Sequence, residues 1–126
     1  MEILDKELHR IVPTAIIYKP DFTYLILKRA PHKKVMPNKW GVPGGGLSTD
    51  DYSHIPSDLT FIRPDGIPVL CLSYFTPYVS GEVKIDEDHI EFAWVTAQEA
   101  ESYDLIEGIL GEIKEVDKIL KRRKTM

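Results

Sequence analysis

The chain has 126 residues, 43% hydrophobic and 29% charged, which suits one globular domain with a single core. Its net charge of −4 gives no basic face for nucleic acid, and the run Lys121-Arg122-Arg123-Lys124 sits where it complements the dipole of a helix end. One cysteine, Cys71, rules out an internal disulfide and a multi-Cys zinc site; lying in Val69-Leu70-Cys71-Leu72, it reads as a core thiol. No stretch has the length and apolarity of a membrane span, and no basic start leads into an apolar leader. The expectation is a cytoplasmic protein with neither membrane nor nucleic-acid partners.

Ile11 to Tyr18 and Phe22 to Leu27 are strand-like runs on either side of the turn signal Lys19-Pro20-Asp21, and they predict an antiparallel hairpin. Arg29 to Asn38 is basic and proline-punctuated, hence a loop, and Lys39 to Val42 is a short strand running into glycines. Leu59 to Arg63 and Ile67 to Phe75 flank Pro64-Asp65-Gly66 and predict a second hairpin. Gly81 to Ile85 is a weak edge strand, and Ile90 to Val95 a further strand. Thr96-Ala97-Gln98-Glu99 fits a capping box and opens a short helix that stops near Tyr103. Asp104 can cap the next helix, along which Leu105, Ile106, Ile109, Leu110, Ile113, Val116, Ile119 and Leu120 form a wide apolar stripe.

The stretch Trp40-Gly41-Val42-Pro43-Gly44-Gly45-Gly46-Leu47 is the most distinctive feature. With the preceding Leu27-Lys28-Arg29 and basic loop, it resembles the approach to the signature motif of the Nudix hydrolases. Glu91-Phe92-Ala93-Trp94-Val95-Thr96-Ala97-Gln98-Glu99-Ala100 is similar to that family's closing strand and following helix. The resemblance covers most of the chain and implies an α/β/α sandwich around a mixed β-sheet. It also implies Mg²⁺- or Mn²⁺-dependent hydrolysis of nucleoside diphosphates linked to another moiety. Gly44, Gly45 and Gly46 would let backbone approach a diphosphate, and Arg29 would pair with its oxygens through forked donors. A tight turn and an exposed strand-end cation are the respective structural alternatives.

The match then breaks. In the family, a helix carrying Arg-Glu-x-x-Glu-Glu follows the glycines. Counting from Gly45, Asp51 falls on the motif's first Glu, but its Arg-Glu pair falls on Leu59 and Thr60, at the start of a strand-like run. Carboxylates three and four residues apart on a helix converge and can ligate a hard cation, which needs several oxygens. Asp50, Asp51 and Asp58 occupy a proline-interrupted polar segment with no helical period. Asp50 and Asp51, with Glu87 from Asp86-Glu87-Asp88-His89, are the metal candidates; solvated acidic segments are the alternative. His32, His54 and His89 have no metal-site spacing. Trp40 and Trp94 read as core rather than as base-stacking platforms.

A sandwich without its box helix should leave an apolar face on the strands around Ile67 to Phe75. That face would stay exposed on a monomer that binds a hydrophobic dye, leave the fold marginal, or be covered by a second copy, as a homodimer, or by residues absent between Pro56 and Leu59. Two functions remain open. One is a Nudix-type hydrolase by lineage, inactive as this 126-residue chain. The other is a non-catalytic nucleotide-binding or scaffold domain needing no metal.

Overall fold

The computed structural model describes residues 10–34, 36–44, 53–54, 59–62 and 68–124. Its elements are β1 (Arg10–Tyr18), β2 (Tyr24–Arg29), β3 (Trp40–Gly41), β4 (Ser53–His54), β5 (Leu59–Ile62), β6 (Pro68–Pro77), β7 (His89–Val95), α1 (Ala97–Ala100) and α2 (Ile109–Lys124). The strands form one mixed sheet in the order β3-β2-β1-β6-β4, with β5 also on β6 and β7 on β2. β1 and β6 run parallel in unbroken register from Arg10↔Val69 to Tyr18↔Pro77, and the other strand pairs are antiparallel.

The first expected hairpin is present, joined through Lys19 N–H to Thr23 C=O at 3.0 Å, with Phe22 in the left-handed region at φ 62°. The second is present as β5 on β6; its turn, Pro64-Asp65-Gly66, lies outside the described residues. Gly81 to Ile85 is not a strand. Gly81, at φ 102°, turns the chain, and the Tyr78 hydroxyl donates to its carbonyl oxygen.

One face of the sheet carries the core. Ile16, Tyr24, Ile26, Phe75 and Val95 pack against Ile109, Ile113 and Val116 of α2. Burying each such aliphatic side chain contributes roughly 1.5–3 kcal/mol before entropy. The apolar stripe has one correction at its start: α2 begins at Ile109, not after Asp104. Leu105 and Ile106 instead run extended beside β3, through Trp40 N–H to Asp104 C=O and Ile106 N–H to Trp40 C=O, both 2.9 Å. Gly108, at φ 95°, then turns the chain into the helix. α1 has the expected capping box: Thr96 Oγ1 accepts from Glu99 N–H at 3.1 Å, and Glu99 Oε1 accepts from Thr96 N–H at 2.9 Å.

The bare apolar face expected on β6 is not found among its described side chains. Ser73, Phe75 and Thr76 are buried and Tyr74 is half-buried. Ala15, Leu25 and Leu27 alternate onto the face away from α2 and are buried too, so the middle of that face is covered. The large exposed hydrophobics among the described residues are Val79, Ile85, Ile90 and Phe92, on β7 and the segment before it.

Candidate functional site

β1 and β2 pair only next to their connecting turn, at Tyr18↔Tyr24, and then diverge. The strand leading to the glycines fills the opening between them. Asn38, at φ 63°, turns the chain into it; asparagine tolerates this conformation better than most residues. Arg29 N–H bonds Lys39 C=O at 2.9 Å, and Trp40 and Gly41 pair with Lys28 and Leu27. The chain then crosses to β1, where Ala15 N–H bonds Pro43 C=O at 2.8 Å and Gly44 bridges Thr14. Gly41 is buried in this crossing: a Cβ there would lie 3.0 Å from Ile106 Cδ1, and that side chain would have to yield.

A polar chain runs inward from this crossing. Thr14 Oγ1 lies 3.3 Å from Ser73 Oγ, and Ser73 donates to Glu112 Oε1 at 2.8 Å. Glu112 stands in the first turn of α2 with only 4% of its surface exposed. A carboxylate in a helix's first turn is favoured by the backbone dipole. Sequence reasoning missed Glu112. Its signal was positional, since it stands three residues after Ile109 and four before Val116, on the buried stripe.

Arg29 ends β2 and is half-buried; desolvation lowers its pKa, opposed by the nearby Asp88 carboxylate. The acidic turn is fastened to the segment after Arg29. Asp88 C=O accepts from Ala30 N–H at 2.8 Å, and its carboxylate lies 3.2 Å from Lys33 Nζ and 3.7 Å from His32 Nε2. Asp86 Oδ1 caps the turn, 3.0 Å from Asp88 N and 2.8 Å from His89 Nδ1; the His89 bond leads the causes that lower its pKa. Glu87 is exposed at the tip of this turn.

Of the residues singled out from sequence, the fold brings Arg29 and Glu87 to one end of the β2–β7 pair and sets Gly44 against β1. Gly45, Gly46, Asp50 and Asp51 lie outside the described residues. Among the described residues no three His, Cys, Asp or Glu side chains converge as a metal site. The cations beside this turn, Arg29, His32 and Lys33, act on Asp88, the residue after Glu87. Trp40 packs edge-on to Tyr103 at 4.9 Å against the core, while Trp94 carries Lys19 Nζ 4.1 Å over its ring and Tyr78 at its edge.

No family model and no curated protein matches the sequence. Solved structures do match the fold. A MutT protein from Methanosarcina mazei superposes with a TM-score of 0.70 at 19% identity, covering 94% of this chain and 96% of that one. A Caenorhabditis elegans Ap4A hydrolase, solved as a binary complex, gives 0.70 at 11% identity over 90% and 98% of the two chains. The NUDIX domain of Shewanella oneidensis NrtR, solved with ADP ribose, gives 0.67 at 12% identity over 90% and 89%. Identities this low carry the fold.

Proposed function

We propose that this chain, which has the fold of the Nudix hydrolases, is a single-domain nucleotide-diphosphate binder descended from metal-dependent hydrolases, without their turnover. The observation that carries this reading is a mismatch within one site. The glycine-bearing strand crosses from β2 to β1 beside a half-buried arginine, while the sequence beyond it has no Arg-Glu-x-x-Glu-Glu. Two structural neighbours support the ligand class, one solved with ADP ribose and one an Ap4A hydrolase.

In this reading Arg29 holds the diphosphate oxygens. A partly desolvated guanidinium gains from a charged acceptor, because its forked donors match two oxygens at once and less water competes. The backbone of Gly44, Gly45 and Gly46 approaches the same group, with no Cβ to keep it away. In the family, Mg²⁺ or Mn²⁺ supplies charge neutralisation and an activated water. The described residues do not fit such an ion, and Asp50 and Asp51 are the remaining candidates to hold one.

Calorimetric titration with ADP-ribose in the absence of metal tests the binding. Arg29→Ala should weaken it by about tenfold or more, the loss of roughly 1.5–3 kcal/mol expected for a charged hydrogen bond. The chain should release no phosphate-containing product from ADP-ribose, dinucleoside polyphosphates or nucleoside triphosphates with Mg²⁺ or Mn²⁺. Metal-dependent turnover that Asp51→Ala abolishes would overturn the inactive reading. The competing reading is a hydrolase whose natural chain has further residues between Pro56 and Leu59; the intact mass of the natural gene product separates the two.

A further inference from the structure

We infer that His89 is a second ligand-binding residue of the same site, its Nε2 accepting a hydroxyl of the sugar whose diphosphate Arg29 holds. This rests on the diphosphate reading and narrows it to diphosphates esterified by a polyol.

A break in the β2–β7 ladder places His89 there. Glu91 stands opposite Lys28 and His89 opposite Arg29, with the register shifting between them, so Ile90 is an extra residue on β7. A β-bulge of this kind re-aims the side chains beside it. In unbroken register Ile90 would stand opposite Arg29, and His89 would oppose Ala30 on the other face. As the strands run, Arg29 and His89 are direct cross-strand neighbours on one face, where Cβ atoms lie roughly 4.5–5.5 Å apart. The bulge thus exchanges an aliphatic side chain for a polar ring at the position beside the arginine.

The ring is oriented before any ligand arrives. Asp86 Oδ1 lies 2.8 Å from His89 Nδ1 and also takes the Asp88 N–H at 3.0 Å. The His89 bond leads the causes that lower the Asp86 pKa, so this carboxylate is ionised and can only accept. Nδ1 therefore carries a proton, and in the uncharged ring Nε2 is left as an acceptor. Among the described residues none bonds Nε2, and the side chain is 22% exposed.

Arg29 has donors alone and matches oxyanions, whereas a lone pair on His89 Nε2 repels them and takes an O–H. An oxyanion and a hydroxyl read side by side are the chemistry of a phosphorylated sugar. A dialkyl diphosphate offers the first and not the second.

Two measurements on the intact chain, both in mildly alkaline buffer, test this. Long-range proton–nitrogen correlation spectra should show the free His89 ring with its proton on Nδ1, and ADP-ribose should shift the Nε2 resonance. Calorimetric titration of His89→Leu should give about three- to tenfold weaker binding of ADP-ribose, the contribution of one uncharged hydrogen bond. Symmetrical dimethyl diphosphate, which has the charge and no hydroxyl, should bind this variant as it binds the parent. Should His89→Leu fail to fold, the spectra of the parent decide. A parent that binds no ADP-ribose overturns the diphosphate reading and this inference with it. A parent that binds while its Nε2 resonance stays fixed, a free ring with its proton on Nε2, or a folded His89→Leu that binds ADP-ribose as tightly as the parent or loses both ligands alike would overturn this inference alone.

Discussion

Two acidic side chains on the apolar face of α2 show how single residues are fixed by what they touch. Asp117, like Glu112, is buried, and it accepts the Tyr24 hydroxyl at 2.6 Å and pairs with Lys121 at 2.8 Å. Burial, reinforced by the Asp117 hydrogen bond and charge, pushes the Tyr24 phenol well above its ordinary range. Tyr24→Phe should cost about 1–3 kcal/mol, since it leaves a buried carboxylate oxygen short of a donor; urea unfolding of both chains reads it directly. The pH dependence has a definite sign. The unfolded phenol ionises near about pH 10 while the folded one stays neutral. This stabilisation is complete below that pH and is lost as pH rises from there toward the folded value. Tyr24→Phe should flatten that alkaline decline, measured as unfolding midpoint against pH.

At the scale of elements, α2 closes the core on one face of the sheet, and its start is set by neighbours. Asp104 has the residue type of a cap, yet its carboxylate bonds Lys39 Nζ at 2.7 Å and its carbonyl serves Trp40. Ile113 is fully buried at the centre of the cluster. Ile113→Asp should therefore unfold the domain or lower its melting temperature sharply, because a buried, unpaired carboxylate costs several kcal/mol. A variant as stable as the parent would mean that the stripe is not core. Gly108→Ala tests the helix start more gently: forcing a Cβ into φ 95° should cost about 1 kcal/mol or more, seen as a lower denaturant midpoint with an unchanged slope.

At the scale of the molecule, β1 is the hinge of the architecture. It pairs with β6 along its whole length, with β2 next to the turn, and with the glycine strand where β2 has diverged. Both tryptophans belong to the β2 side, Trp40 in β3 and Trp94 in β7, whereas β1 and β6 make the longest ladder. A single domain should melt with coincident transitions by far-ultraviolet circular dichroism and tryptophan fluorescence. A fluorescence transition that precedes the loss of circular dichroism would show the β2–β3–β7 part to be a separate unit.

Most of the strands, though not β4 and not the absent Gly81–Ile85 strand, were legible in the sequence with the capping box and the apolar stripe, because each rests on local chemistry. Two-residue alternation, the Thr96–Glu99 spacing and the three- and four-residue steps of α2 all lie within a few positions. The family resemblance was legible for the same reason, since Trp40 to Gly46 is a contiguous pattern. Other features depend on residues far apart in the chain, and only the tertiary structure decided them. Leu105 and Ile106 are extended because Trp40 takes their backbone bonds, and Ser73 and Phe75 of β6 are buried because α2 lies across them. Glu112 and Asp117 are buried because Ser73 and Tyr24 meet them from other strands. A backbone or carboxyl group follows its local preference only until a better-satisfied partner arrives from elsewhere, and the fold determines which partners arrive.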